Sequence, residues 1–529
     1  MTAGNSKHAV CVIAVFCCLI AVLAGCVRPQ TAPKTTTLDW YVNFSWFTAQ
    51  WGQNHVTSAI TDETGVQVRF SVPAGDEGET LNAMIQQDAL PDLITVGWWS
   101  PQVSTLIEGG YVYPLNELAE QYAPEFLENA GKAQLEWYRQ PDGNVYGYPS
   151  FSVEPGDEIA ENLGSNVVFV VRKDLYEALG CPDMTTPEGF SAALRQAAEQ
   201  FPQVDGMPLI PLGVGDFNEY GNASLSDSLR DFLAIPQEKN RVAYDYVTDP
   251  DYLTWLETLR QLVADGVIQS DFFLDKRQQT LEKIRQGRYF CLIYQWSDME
   301  AELKTIYEQS PERMYIAVDG PKNSAGDDHT LSAVGMNGWT LTFISRDCAD
   351  PEKAIQLMSY LVSQEGRELI RLGLEGEDYQ WQNDRPELIG QAAQLFQNDY
   401  PAYVQQIGAN NTYWMLQNGP TSLPVEALDQ IRDWSARYTV NVSAYEVAFA
   451  PGSSAAAIDE RIKQLWGQTL PALLLAPTHQ EFEQILQDYL DQREELGWDA
   501  LMQARTNAFT QNHGKLARLE YSDEVDDGQ

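Results

Sequence analysis

Aromatic side chains are the residues of this sequence best suited to chemistry, and that chemistry is recognition. The 529-residue chain carries 14 Trp, 25 Tyr and 19 Phe, and several tryptophans fall just beyond segments with strand character. Trp46 and Trp51 follow the first such segment, Trp98 and Trp99 the third and Trp296 a later one, while Trp339 opens another. Tyr413 and Trp414 lie in the polar run GANNTYW. A flat apolar ring with a polar edge suits the C–H face of a sugar ring, while nearby Asn, Gln and Asp satisfy its hydroxyls. Any one ring reads equally well as core packing, because aromatics dominate cores. Repetition at strand ends, where α/β proteins place ligands, lifts the group above its members. The expected ligand contacts are Trp46, Trp98, Trp99, Trp296, Trp339, Tyr413 and Trp414, with about half of the strand-end aromatics facing a cleft.

Bond-making chemistry lacks comparable signals. The sequence contains no HExxH, paired CxxC, Walker loop, GxSxG or EF-hand spacing, and the glycines near 213–215 and 335–338 lack the partners such motifs need. No catalytic residue, metal or cofactor is expected. The 75 Asp and Glu guarantee neighbouring carboxylates, so an anchored glycoside hydrolase stays as the alternative, although such acids are mostly solvated surface groups. Against 34 Lys and Arg they leave a net charge of -41, which would repel a phosphate backbone and excludes nucleic acid as a partner.

Positioning such rings requires a folded α/β framework. With 44% hydrophobic and 21% charged residues the composition is globular, and the length suggests roughly two to four domains. Strand patterns at 38–42, 66–72 and 92–96 alternate with helical ones at 56–63 and 80–87, which predicts a parallel sheet with crossover helices. The pattern resumes with a buried strand at 167–171, a helix at 173–179, a helix at 281–288 and strands at 289–294, 315–318 and 340–344. Asp350 offers an N-cap and Pro351 fits the first helical position, before the stripe Ala354, Ile355, Met358, Leu361 and Val362. Phe482, Ile485, Leu486, Tyr489 and Leu490 form a similar stripe, and the acidic tail 516–529 is expected to be disordered.

At the N-terminus, Lys7 and His8 precede an apolar run at 9–24 that is too short for a bilayer span and reads as a secretory signal. Its end, Leu23-Ala24-Gly25-Cys26, resembles the lipobox of bacterial lipoproteins. The resemblance implies a signal peptide over 1–25, an acylated Cys26 as the mature N-terminus, and a Pro/Thr-rich tether over 26–37 on the outer face of the cell membrane. Cys181, Cys291 and Cys348 then remain in the folded part, and their odd number and wide spacing read as buried free thiols.

Further motifs, PDLITVGWW (91–99), GGYVYPLNEL (109–118), GNVYGYPS (143–150), VVRKDLYEALGCPDMTTPEGF (170–190), QGRYF (286–290), GWTLTFISRDCADPEKAIQLMSYLVSQEGRELI (338–370) and GLEGEDYQW (373–381), occur in an order that resembles family 1 of the extracellular solute-binding proteins of carbohydrate ABC transporters. The resemblance implies a two-lobed periplasmic-binding-protein-like α/β fold with a hinged inter-lobe cleft. Its lobes would comprise 38–150 with 312–365, and 151–311 with 366–515, the first crossing falling at 146–151. It further implies sugar stacking at Trp98 or Trp99, Trp296 and Trp414, with Gly338-Trp339 at the cleft edge. The chain would be a non-enzymatic, monomeric, lipid-anchored receptor that presents a mono- or oligosaccharide to two permease subunits served by a cytoplasmic ATPase. A sugar or peptide sensor or adhesin without transport is a further alternative.

Overall fold

The computed structural model describes residues 35–526 apart from 76, 157–163, 270, 334, 383–384, 400–401 and 404–424. Nine strands, in chain order, build its two main sheets: β1 (Thr36–Val42), β2 (Val66–Ser71), β3 (Leu93–Gly97), β4 (Gly147–Pro149), β5 (Val167–Arg172), β6 (Ile210–Gly213), β7 (Tyr289–Gln295), β8 (Tyr315–Ala317) and β9 (Thr340–Ile344). The first sheet has the order β2-β1-β3-β9-β4 and the second β8-β5-β7-β6.

Local sequence explains most of these elements. In β2 the alternating Val66 and Val68 are buried while Gln67 and Arg69 are exposed, as a half-buried strand requires. Central β3 is buried throughout, and β5 is buried in all but its first residue, as suits strands that are apolar apart from Thr95 and Arg172. Asn54 caps the helix His55–Thr64 by accepting the Thr57 amide at 2.8 Å, and Asp350 accepts the Lys353 amide at 3.1 Å ahead of Pro351. The helix Pro351–Val362 then buries Ile355, Met358 and Leu361 against the first sheet.

Several expectations need correction. The first sheet is mixed: β1, β2 and β3 are parallel, but β9 enters antiparallel between β3 and β4 from far along the chain. Lobe membership also differs from the sequence reading. β8 pairs with β5 in the second sheet, Leu331 belongs to the second core, and the helix Gln364–Leu372 packs Leu369 and Ile370 into the first. The chain therefore returns to the first sheet between Ser332 and Thr340, not near 312. It stays there beyond 365, since Tyr403 lies in the first core and Val425 in the second. A three-residue edge strand does not declare its sheet, because pairing is decided by distant neighbours. Cys181 is exposed, set out in a turn at φ 54°, whereas Cys291 and Cys348 are buried thiols.

The C-terminal region is helical where disorder was expected. The helix Trp498–Asp526 leaves the second lobe and lays Leu516 and Leu519 on Ala133, Trp137 and Met336. Ala133 and Trp137 belong to the helix Lys132–Tyr138 of the first lobe. Lys515 donates to the Trp137 carbonyl at 3.1 Å, with its ammonium 5.0 Å from that ring's centre. The acidic composition hides this contact, because it depends on two leucines one turn apart that meet the other lobe.

Candidate binding cleft

Topology brings particular strand ends to one edge of each sheet. In the first sheet the C-terminal ends of β1, β3 and β4 meet the N-terminal end of β9. In the second, the C-terminal ends of β6, β7 and β8 meet the start of β5. The chain crosses from β4 to β5 and back to β9 at these edges, so they face each other across the crossings. The two crossings are laced together: the Ser150 amide donates to Thr340 O at 2.9 Å, the Trp339 amide to Ser150 O at 2.8 Å, and Ser152 Oγ to Met336 O at 2.7 Å.

On the first lobe this edge carries a triangle of rings, with Phe44 5.4 Å from Trp46. Trp339 stacks on Phe44 at 5.4 Å between centroids and 18° between planes, and Trp46 lies 6.2 Å from Trp339 at 20°. Trp46 is 42% exposed, so its outer face is open. The Trp98 amide donates to Trp339 O at 3.3 Å, and Trp98 meets Trp99 edge to face at 6.0 Å. Trp99 is 49% exposed. Its ring folds back over Gly97, where an added Cβ would come within 2.6 Å of it, so a side chain at the end of β3 would displace that ring. Trp51, by contrast, is buried in the core and donates to Thr61 Oγ1 at 2.8 Å.

The second lobe contributes Trp296, half-buried at the end of β7. Its indole donates to Ser165 O at 3.0 Å, and the Arg432 guanidinium lies 5.0 Å from its ring centre. Sequence-expected Trp46, Trp98, Trp99 and Trp339 are thus gathered on one lobe and Trp296 stands on the other; Tyr413, Trp414 and Cys26 lie outside the described residues.

Three residues at this edge escaped the sequence reading. Phe44 underlies Trp339. Arg277 opens the helix Arg277–Arg285, which begins four residues before the expected start because Gln279 Oε1 accepts the Lys276 amide at 2.8 Å. Asp298 follows Trp296 and pairs with Arg277 at 3.1 Å. Arg277 also reaches the opposite lobe, 5.9 Å from the centre of the Trp46 ring. Burial pushes the Asp298 carboxyl up, Arg277 pulls it back and Asp216, on the loop after β6, pushes it up further. The adjacency of Ser297 and Asp298 to Trp296 was the one visible signal.

Behind the cleft, Glu446 clamps the second crossing. Its carboxylate accepts the Asn337 amide at 3.2 Å and approaches Gly335 so closely that a Cβ there would lie 2.5 Å from Oε2. Ser443 Oγ accepts the Met336 amide between them at 2.8 Å. On its other side Asn337 accepts from Trp137 Nε1 at 2.7 Å and from the Tyr138 hydroxyl at 2.5 Å. Burial pushes the Glu446 carboxyl up to about 7 against the pull of the Asn337 and Gly335 amides. Among the described residues no group of three His, Cys, Asp or Glu is placed to hold a metal, and no helix is long and apolar enough to cross a membrane.

Solved structures share the fold. The alginate-binding protein AlgQ2, without calcium ion, is 16% identical, with 90% of this chain and 98% of that chain covered at a TM-score of 0.65. The S. pneumoniae ABC-transporter substrate binding protein FusA, in complex with kestose, is 16% identical over 90% and 100% of the two chains, also at 0.65. An HMO binding, ABC-transporter associated solute binding protein from Bifidobacterium longum infantis is 13% identical over 90% and 98%, at 0.66. All three are similar in fold, the two-lobed periplasmic binding protein. No curated protein sequence matches the chain. With two α/β lobes, laced crossings and a cleft between facing strand ends, and with the family model matching residues 56–369, the chain belongs to the bacterial extracellular solute-binding proteins.

Proposed function

We propose that this protein is the lipid-anchored substrate-binding subunit of an ABC transporter, capturing a mono- or oligosaccharide outside the membrane and delivering it to two permease subunits. The observation that carries the sugar reading is the ring cluster Phe44, Trp339 and Trp46, whose most exposed member, Trp46, faces Arg277 of the other lobe. Stacked, half-exposed indoles beside an ion pair offer both halves of carbohydrate recognition, apolar faces for C–H groups and charged partners for hydroxyls. The kestose bound to FusA, the alginate binding of AlgQ2 and the HMO binding of the Bifidobacterium protein support a carbohydrate as ligand. The sequence Leu23-Ala24-Gly25-Cys26 after an apolar run supports the anchor.

Binding here is a closure of two lobes on a ligand, so occupancy shifts the open–closed population and reports itself to the permease. The decisive experiment is a thermal-shift screen against a glycan panel followed by calorimetry. A true ligand at about 100 times its Kd adds about 2.7 kcal/mol of stability and is recovered intact. Hydrolysis of that ligand would move the protein to the glycosidases, and a panel without any hit would end the carbohydrate reading.

A further inference from the structure

The ring of Trp339 owes its place to a length of backbone with little stiffness of its own. Trp339 follows Gly338, which sits at φ 67° and passes so close to Ser150 O that a Cβ there would lie 2.2 Å from it. A side chain at this position would push the two crossings apart. Glycine leaves the chain conformationally free, so the aim of the ring has to be imposed from both sides. On one side the Trp339 amide is held by Ser150 O at 2.8 Å. On the other the anchor is Asn337.

Three groups outside the ring cluster grip Asn337. Its Oδ1 accepts from Trp137 Nε1 at 2.7 Å and its carbonyl from the Tyr138 hydroxyl at 2.5 Å, both on the helix Lys132–Tyr138 of the first lobe. Its amide donates to Glu446 at 3.2 Å. Trp137, only 3% exposed, is in turn braced by the final helix. Leu516 and Leu519 pack with Trp137 and Met336, and Lys515 donates to the Trp137 carbonyl at 3.1 Å. One turn earlier, Asn512 Nδ2 donates to the carbonyls of Ala444 and Glu446 at 3.3 and 3.0 Å. One helix end therefore steadies the groups on both sides of Asn337, and direct contacts run from it through Trp137 to Asn337 and the ring two residues on.

We propose that Trp137 and Tyr138 are positioning residues for sugar binding, which aim the Trp339 ring by holding Asn337 and are themselves braced by the end of the final helix. This rests on the carbohydrate reading above, and one arm of the experiment needs no ligand. Every amide from Met336 to Thr340 has an acceptor, so hydrogen exchange over 336–340, taken relative to that of β5, reports the grip directly. Three full-length proteins are compared with wild type: Tyr138→Phe, Trp137→Phe, and Leu516→Ala combined with Leu519→Ala. Each should speed that relative exchange about fivefold, the worth of one lost hydrogen bond. Calorimetry with the tightest binder among malto-, xylo-, manno- and fructo-trisaccharides should show affinity weakened by about the same factor. Leu256→Ala, in the core of the second lobe, controls for destabilisation alone and should leave both readouts unchanged while folded. Because Tyr138 acts through the ring, Tyr138→Phe should cost no further affinity in a Trp339→Ala background.

Folded variants that keep wild-type affinity, whatever their exchange, would overturn the proposal. So would a loss from Tyr138→Phe that persists in full without the Trp339 ring. A wild type that binds none of the four trisaccharides, with exchange quickened in the variants as expected, would overturn the carbohydrate reading and keep the grip on Asn337.

Discussion

Individual residues divide into those that build the cleft and those that build the cores, and the division is measurable. Trp46 is open on one face, so Trp46→Ala should cost on the order of 2–4 kcal/mol of ligand binding, the size of an aromatic hot spot, with little change in melting temperature. Trp40, wholly buried with its indole bonded to Thr95, should behave oppositely: Trp40→Ala loses on the order of 3–5 kcal/mol of folding stability. Calorimetry with a melting curve on each variant separates the two, and equal losses of stability would remove Trp46 from the site. Glu446 gives a pH signature. Its folded carboxyl titrates near 7 instead of the ordinary 4.5, so the folded state holds a proton that the unfolded state has released. The associated stability is fully present below pH 4.5 and is lost as pH rises through 7, a fall of about 3 kcal/mol. Glu446→Gln, which keeps an acceptor for the Asn337 amide, should flatten that part of the stability profile in denaturant melts at pH 5 and 8. A variant as pH-dependent as wild type would mean that another group titrates. The role of Glu446 was not legible beforehand: one glutamate among 75 acidic residues carries no mark of its burial.

Elements were legible where their signals are local. Asp350 followed by Pro351, and a stripe spaced three and four apart, specify the helix Pro351–Val362 without reference to the rest of the chain. Asp350→Ala should therefore cost about 1 kcal/mol, read as a lowered denaturant midpoint with an unchanged slope. Pairing was less legible, because β9 has to insert between β3 and β4 before Trp339 can reach Phe44 and Trp46. Its five residues look the same whether the strand is inserted there or at an edge, and so the ring cluster could be expected only as a scatter of aromatics. Arg277 was hidden for a related reason, since its helix starts at a Lys276–Gln279 cap instead of an Asp or Asn. The C-terminal helix provides a test at this scale. Leu516→Ala with Leu519→Ala should lower stability by about 2–4 kcal/mol if the contact with Trp137 and Met336 persists in solution, and an unchanged melting curve would leave that helix end undocked.

At the scale of the whole molecule, two α/β lobes were foreseen and their boundaries were not, because each crossing is a matter of which core a short segment joins. Membrane attachment also belongs to this scale. Cys26→Ala should release the protein from membranes in a fractionation experiment, and a variant that sediments with membranes like wild type would exclude lipid as the anchor. The long final helix has a practical consequence of its own. At 29 residues it is a rod roughly 43 Å long, rooted in one lobe through Trp498 and Leu501 and resting on the other through Leu516 and Leu519, behind the crossings. A rod bearing on the hinge side sits close to the pivot, where a swing of the lobes produces the least travel. A fluorescent protein fused to the C-terminus would therefore be a poor optical gauge of sugar occupancy. Paired dyes on the facing rims, near Trp46 on one lobe and near Arg277 on the other, would read the separation of the lobes directly.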